Sequence, residues 1–457
     1  MASALAWGAR GRRFESARPD HSTTEDVMKK ACIGIVGFGT IGAGVVKALM
    51  SKRALLKARS GIDIKIAAIC DKDLKTKRPV KVQKSLLTRS ISKVLYDPEI
   101  DIVVELVGGI HPAKDFVLEA LRQGKHVVTA NKALLSEAGH EIFSLANKLG
   151  LTVGFEASVC GGIPIIKALK EGFVANRIDL IYGIINGTSN FILSKMAEEP
   201  VSFKEALAMA QANGYAERDP YLDVSGRDSA HKLSVLALLG FGIVARPYDI
   251  YTEGITDIEQ DDIAYAKEMG YAIKLLAIAK RSARALELRV HPTLIPQSRL
   301  IAGVNGVYNA IFVKGDLIGE NLFYGKGAGA QPTSSAVVSD IVAIAKAMER
   351  PSKKIEDGIL IKKDVERIKK MDEIKTKHYI KFLAIDKPGV LTKISGVLAK
   401  HRISIASVTQ KARKAGSVVP IVMMTHDAQE SDMAKALKEI ARLNVIRKKL
   451  VHVRVED

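Results

Sequence analysis

Ala31-Cys32-Ile33-Gly34-Ile35-Val36, followed at once by Gly37-Phe38-Gly39-Thr40-Ile41-Gly42, is the stretch on which the fold reading turns. The first six residues are a short apolar run of the kind buried on both faces of a parallel sheet. The next six are a GxGxxG loop, and Ile41 to Met50 continues with helical spacing. GxGxxG alone is weak evidence. A strand before it and a helix after it supply the context in which it holds a dinucleotide. Gly37 permits the tight turn, Gly39 lets the backbone approach a pyrophosphate, and Gly42 lets the helix pack closely on the strand. Phe38, Thr40 and Ile41 are the other cofactor contacts of this loop. The helix start adds unpaired N–H groups and the positive end of its dipole. The alternative is a structural Gly-rich turn.

Outward from the loop, Ile62 to Cys70, Asp101 to Leu106, His126 to Ala130 and Leu151 to Phe155 read as further short strands, with helical segments at 112–122 and 134–148. Strands alternating with helices predict a right-handed parallel sheet, hence an α/β, Rossmann-like doubly wound nucleotide domain over residues 31–157. Asp71 follows the second strand, where a carboxylate accepts from a ribose diol and favours NAD. Lys72 beside it suits the 2′-phosphate of NADP, so NAD or NADP stays open here.

After about residue 157 the pattern changes to helices at 163–171, 202–213 and 228–240 and long alternating runs at 176–186, 271–280, 286–295, 306–313 and 321–325. This predicts an α+β catalytic, substrate and dimerisation domain over 158–330. Helix 333–348 follows Gly325-Lys-Gly-Ala-Gly329 and completes the nucleotide domain. Residues 349–376 are mixed-charge and read as a partly helical linker. Residues 377–457 read as βαββαβ, a ferredoxin-like split motif. Its elements are 378–385, 390–400, 403–409, 417–425, 431–442 and 445–455.

Composition bounds the function. The 457 residues are 47% apolar and 26% charged, which is globular, and 69 Lys/Arg against 50 Asp/Glu give a formal charge of +19. Such a surplus suits nucleic acid or anionic small molecules. Aromatics at 5% leave few stacking platforms for single strands, and no DNA-binding motif is present. Three cysteines make no disulfide framework and fit a reducing, cytoplasmic setting. No apolar run reaches membrane length. Residues 1–30 lack a secretory pattern and read as a disordered extension, with Met28 a possible true start.

The chemistry-bearing residues lie in two places. Asn131-Lys132 follows the strand at 126–130, at the carboxyl edge that forms the ligand crevice of such sheets. Asp228 and Lys232 are i,i+4 at the start of a helix and share one face. Carbonyl reduction needs a proton donor beside the hydride acceptor, and a partly buried Lys with a lowered pKa suits that task. An ordinary helix-start ion pair has the same spacing. His231 reads as a packed or surface histidine. Cys160 reads as a small packed residue, since no His or Asn motif would activate it.

The run from Ala210-Gln-Ala-Asn-Gly214 through Asp219-Pro220, Asp223-Val224, Gly226, Asp228 and Lys232 carries the signature of homoserine dehydrogenases at every fixed spacing. Gly187-Thr-Ser-Asn190 and Gly327-Ala-Gly329 with Pro332-Thr333 match further blocks. Over roughly residues 30–348 the chain resembles that family. The resemblance implies reduction of aspartate 4-semialdehyde to homoserine with NADPH or NADH, on the route to threonine and methionine. It implies Lys232 as proton donor or acceptor and Lys132 as a second lysine near nicotinamide and substrate. Glu217 and Asp228 would bind the substrate's amino-acid end, with Asp223 in the same pocket. Gly214 and Gly329 would touch the cofactor. A structural Na⁺ would sit on Glu156, Val159, Gly161 and Ile163. Residues 377–457 resemble an ACT domain, with Asp386-Lys-Pro-Gly389-Val-Leu391 as its first turn. Asp386 would take a ligand's ammonium and Gly389 would stay open to its carboxylate, implying inhibition by threonine. A homodimer or homotetramer is expected, with no nucleic-acid or membrane partner. The rival readings are another amino-acid dehydrogenase, such as aspartate-semialdehyde dehydrogenase, and a non-catalytic amino-acid sensor.

Overall fold

Six parallel strands organise the N-terminal half of the computed structural model, which describes residues 29–282, 285–349, 367–411, 417–447 and 450–457. They are β1 (Lys29–Val36), β2 (Ile62–Cys70), β3 (Leu87–Thr88), β4 (Ile102–Glu105), β5 (His126–Thr129) and β6 (Val153–Gly154), in the order β3-β2-β1-β4-β5-β6. The order reverses at β1 and β4, and such a switch opens a crevice at the strands' carboxyl ends. Ile33, Ile35, Ile102, Val103 and Val104 are fully buried because helices cover both faces. The last strand is two residues long where the sequence pattern suggested five.

Helix Thr40–Ser51 follows the glycine loop, and helix Lys132–Leu149 follows β5. The Asn131 side chain caps the latter, accepting from Leu134 N at 3.1 Å. The late helix spans Ala330–Met348, three residues longer at its start than expected. It returns to helix Thr40–Ser51 so closely that a Cβ on Gly44 would lie 2.4 Å from Ser334 Oγ.

The second sheet comprises β7 (Ile178–Ile184), β8 (Tyr251–Thr252), β9 (Tyr271–Ser282), β10 (Ala285–Pro296), β11 (Tyr308–Gly315), β12 (Gly319–Lys326), β13 (Arg367–Ile368), β14 (Lys375–Ile385), β15 (Ile405–Thr409), β16 (Val418–Thr425), β17 (Ala428–Gln429) and β18 (Val451–Val455). Its path is β12-β11-β7-β9-β10-β18-β14-β16-β15, with β8 and β13 on β10 and β17 on β14. The five alternating runs between 176 and 326 form its antiparallel half, as their period-2 pattern required. Helices Gly187–Glu198 and Gln260–Glu268 were not expected.

The C-terminal unit has the βαββαβ order, but it is not separate from the catalytic body. β18 pairs in parallel with β10, Thr293 opposite Arg454 and Leu294 opposite Val455, so one sheet runs through both. β18 spans only Val451–Val455, five residues of the expected 445–455. Two ion-pair groups reinforce the junction. Arg454 holds Glu430 through Nε at 2.6 Å and also pairs with Glu253 of the catalytic body. Lys381 lies 2.9 Å from both Glu259 and Asp262, and Tyr379 donates to Asp262 at 3.0 Å. In the expected linker, 367–376 holds β13, a tight turn and the start of β14, while 350–366 lies outside the described residues. So does the N-terminal extension through residue 28. Among the described residues no helix is long and apolar enough to cross a membrane.

Candidate active site

The glycine loop shows why it needs each glycine. Gly37 has φ +102, and a Cβ there would lie 2.6 Å from the Leu106 carbonyl oxygen. On Gly42 it would lie 2.0 Å from the Gly37 oxygen. Gly39 is different, since a Cβ there would meet nothing within 4 Å. The protein's own packing requires two glycines and leaves the backbone at the third bare toward solvent, where a pyrophosphate approaches. Asp71 braces this loop. Its carboxylate accepts from the backbone N–H of Phe38 and, at 2.7 Å, of Asp73. Arg78 donates to the Phe38 carbonyl at 2.6 Å with its guanidinium 6.0 Å from the Phe38 ring. Gly39, Thr40, Lys47, Lys77, Arg78 and Ser334 are among the residues lining a cavity of about 920 Å³. Lys72 is exposed.

At the carboxyl edge of β4 and β5, Thr129 Oγ1 donates to Glu105 at 2.6 Å, and Glu105 accepts from Val107 N at 2.8 Å and Gly108 N at 3.2 Å. Asn131 Nδ2 donates to the Gly109 carbonyl at 2.6 Å. These bonds hold the loops that deliver Lys132. Its Nζ lies 3.2 Å from Asp228 Oδ1, with the side chain 41% exposed toward the crevice. Asp228 and Lys232 lie on helix Arg227–Phe241, both buried, with Nζ 2.8 Å from Asp228 Oδ2. Lys232 also donates to the Ile185 carbonyl at 2.7 Å. Asn186 Nδ2 completes the cluster, donating to Asp223 Oδ1 at 2.7 Å and Asp228 Oδ2 at 2.8 Å.

Charge in this cluster runs opposite to one expectation. Burial disfavours the Lys232 ammonium, but the Asp228 carboxylate outweighs it and pushes the lysine pKa up, not down. Burial likewise opposes the Asp228 charge, yet Lys232 and Lys132 hold its carboxyl well below the usual range. Burial pushes Asp223 up, Asn186 opposes this, and Asp228 adds to the rise. The result is a buried ammonium flanked by a second ammonium and a carboxylate.

Not every sequence-picked residue joins this cluster. Glu217 is exposed on the turn after helix Phe203–Ala212, and its side chain makes no hydrogen bond or ion pair among the described residues. Gly214 is in the same turn with φ +71. Gly329, φ +114, caps helix Ala330–Met348. His231 is packed, its Nδ1 2.7 Å from Ser136 Oγ. Cys160 is buried, accepts from Asn309 Nδ2 at 3.1 Å, and burial pushes its thiol up, which is the reverse of an activated nucleophile. Asn186, Arg78 and Glu105 were not foreseen. Asn186 alone had a local signal, as the residue before Gly187-Thr-Ser-Asn190.

At the proposed cation turn, both Glu156 oxygens accept backbone N–H groups, from Ile166 and Lys167, each at 2.9 Å. The Ile163 carbonyl accepts from Ile165 N at 2.8 Å, and Gly161, Val159 and Ile163 itself are buried. Burial pushes the Glu156 carboxyl up to about 7. In the C-terminal unit Asp386 N donates to the Ser417 carbonyl at 2.8 Å, and Gly389, φ +83, starts helix Val390–Lys400.

A doubly wound sheet with this loop, facing a buried lysine–carboxylate cluster, defines a nicotinamide-dependent dehydrogenase. The family model for homoserine dehydrogenase matches residues 164–342, that for its NAD-binding domain residues 37–156, and that for the ACT domain residues 378–445. The homoserine dehydrogenase of Neisseria gonorrhoeae is 43% identical over 433 residues, covering 94% of this chain and 99% of that protein. That of Pseudomonas aeruginosa is 43% identical over 94% of this chain and 100% of its own length. The homoserine dehydrogenase structure from Thiobacillus denitrificans superposes with a TM-score of 0.87 at 42% identity, over 94% of this chain and 99% of that one. A hyperthermophilic archaeal homoserine dehydrogenase in complex with NADPH shares the fold, TM-score 0.60, at 24% identity over 71% of this chain and 99% of that one. The chain therefore belongs to the homoserine dehydrogenase family and is an oxidoreductase with an ACT domain.

Proposed function

We propose that the cluster of Lys132, Asp228 and Lys232 interconverts L-homoserine and L-aspartate 4-semialdehyde, in the synthesis of the aspartate-family amino acids. The observation that carries this is the buried Lys232 ammonium, paired with Asp228 and joined by Lys132 from the nucleotide domain. The nicotinamide supplies or takes the hydride at substrate C4. Lys232 Nζ gives its proton to the carbonyl oxygen in reduction and recovers it in oxidation. Lys132 steadies the developing oxyanion, and Asp228 orients both lysines. Asp223, Asp228 and Glu217 receive the substrate's ammonium, Glu217 from a turn that is open in this structure.

Asp71 is engaged by two loop amides while Lys77 and Arg78 line the cavity, with Lys72 next to Asp71 in the chain. This favours NADP over NAD as the preferred cofactor, with Gly37 to Gly42, Gly214 and Gly329 around it. A monovalent cation at Glu156, Val159, Gly161 and Ile163 fits the chemistry of the turn. A buried carboxylate held by amides and raised to about 7 gains from a hard cation. The ion would supply charge balance only. We assign residues 31–157 with helix 330–348 to cofactor binding, 158–330 to catalysis and dimerisation, and 377–457 to regulation. Threonine is the proposed effector, at Asp386 and Gly389, in a cytoplasmic homodimer or homotetramer.

The test follows NAD(P)H absorbance with homoserine and each nicotinamide. NADP-preferring oxidation is expected, and no oxidation with either cofactor defeats the assignment. Added threonine should lower the rate. Unchanged activity removes threonine as the effector.

A further inference from the structure

One group of metal-ligating side chains gathers outside the catalytic cluster. His378 on β14, Glu430 at the start of helix Glu430–Ile440 and His452 on β18 each point a donor atom at the others, all within 4.8 Å. His378 Nδ1 is 2.9 Å from His452 Nε2 and 3.7 Å from Glu430 Oε1. The pairing explains the meeting. His378 stands opposite Arg454 and Ile380 opposite His452, so the two histidines are diagonal neighbours on one face. His378 and Glu430 are buried and His452 is half-buried, which leaves one side of the group reachable.

The surroundings resemble a ligand shell. His378 Nε2 lies 3.3 Å from the Ala428 carbonyl, an acceptor only, so that nitrogen carries the proton and Nδ1 keeps its lone pair. A backbone carbonyl on the far ring nitrogen is how ligating histidines are usually fixed. Arg454 orients the Glu430 carboxylate with Nε–Oε1 at 2.6 Å and Nη2–Oε2 at 3.1 Å. Its own charge is shared with Glu253.

We propose that His378, His452 and Glu430 form a binding site for a divalent first-row ion of the zinc type. Two imidazoles and a carboxylate, with one position left to water, are a donor set such ions take. Bound there, the ion cross-links two strands and a helix of the regulatory unit beside Arg454, whose guanidinium reaches the catalytic body. It is independent of the homoserine reading.

The full chain, stripped with a chelator, is titrated with Zn²⁺ by calorimetry and melted with and without it. One tight site per chain and a raised melting temperature are expected. His452→Gln, on the half-exposed residue, should weaken binding by at least roughly tenfold while homoserine oxidation stays unchanged. No binding by the native chain, or equal binding by H452Q, overturns the proposal and leaves an imidazole–imidazole hydrogen bond. Should H452Q fail to fold, Co²⁺ on the native chain decides. Intense ligand-field absorption supports a low-coordinate nitrogen and oxygen site, and only the weak bands of the aqueous ion reject it.

Discussion

Lys132, first residue of its helix in the nucleotide domain, holds its ammonium 3.2 Å from the Asp228 carboxylate of the catalytic helix. That contact links the nucleotide domain to the catalytic helix, with Lys132 on one oxygen of Asp228 and Lys232 on the other, 2.8 Å away, so one carboxylate serves both ammonium groups.

Replacing Lys232 with Ala should lower turnover by ~10²–10⁴-fold, the usual worth of a placed acid–base group. NADPH affinity, read by fluorescence titration, should survive. Near-normal turnover would remove Lys232 from its role.

Asn186 donates to Asp223 and Asp228 with one nitrogen. Asn186→Ala leaves the buried Asp228 and the half-buried Asp223 carboxylates short of a donor, which costs about 1–3 kcal/mol. Chemical denaturation should show that loss together with reduced turnover. Asn186→Asp should be worse on both measures, because a third carboxylate enters the cluster.

Two loop glycines should fail in different ways. Gly42→Ala puts a Cβ on the Gly37 oxygen and should lower the melting temperature. Gly39→Ala meets no protein atom, so it should fold normally and lose cofactor affinity, as calorimetry with NADPH would report. Unimpaired binding by G39A would mean the pyrophosphate lies elsewhere.

Arg454 is buried and holds Glu430 and Glu253. Arg454→Met strands the buried Glu430 carboxylate, and breaking such a pair costs about 3–5 kcal/mol. Proteolysis should then cut the regulatory unit first, and any threonine response should fade before basal activity does. Unaltered resistance to protease would show that β18 pairing alone keeps the unit docked.

Lys274 on β9 donates to the Val304 carbonyl at 2.6 Å and Asn305 at 2.9 Å, with no carboxylate in contact among the described residues. Burial pulls its pKa down to about 8, and Glu198 opposes this only weakly. The folded value lies below the ordinary 10.5, so the cost of burying the charge is full below about 8 and relieved as pH rises toward 10.5. At about 1.4 kcal/mol per unit, the ceiling is on the order of 3 kcal/mol. Wild-type stability relative to Lys274→Met should therefore climb between pH 7.5 and 10. A flat difference in urea melts would refute the strained ammonium.

Much of this molecule was written locally. The glycine loop, the parallel strands and the βαββαβ order are set by residues a few positions apart, whose period and turn chemistry act before any long contact forms. The Asp228–Lys232 pair belongs here too, since i,i+4 spacing places both on one helix face. What the chain order left open needed the closed fold. Spacing alone left Asp228 and Lys232 divided between an ion pair and an acid–base pair. The structure buries the pair and brings Lys132 to it, and the Asp228 carboxylate, outweighing burial, reverses the expected direction of the Lys232 pKa. Asn186 and Arg78 gained their places only when distant loops met. The +19 charge looked like a clue to polyanions. In the regulatory unit, with 16 Lys/Arg against 7 Asp/Glu over residues 377–457, two of those cations, Arg454 and Lys381, pair with Glu253, Glu259 and Asp262 of the catalytic body. No local period announces that β18 will pair with β10. A sheet edge accepts whichever strand the topology brings to it, and that choice belongs to the tertiary structure.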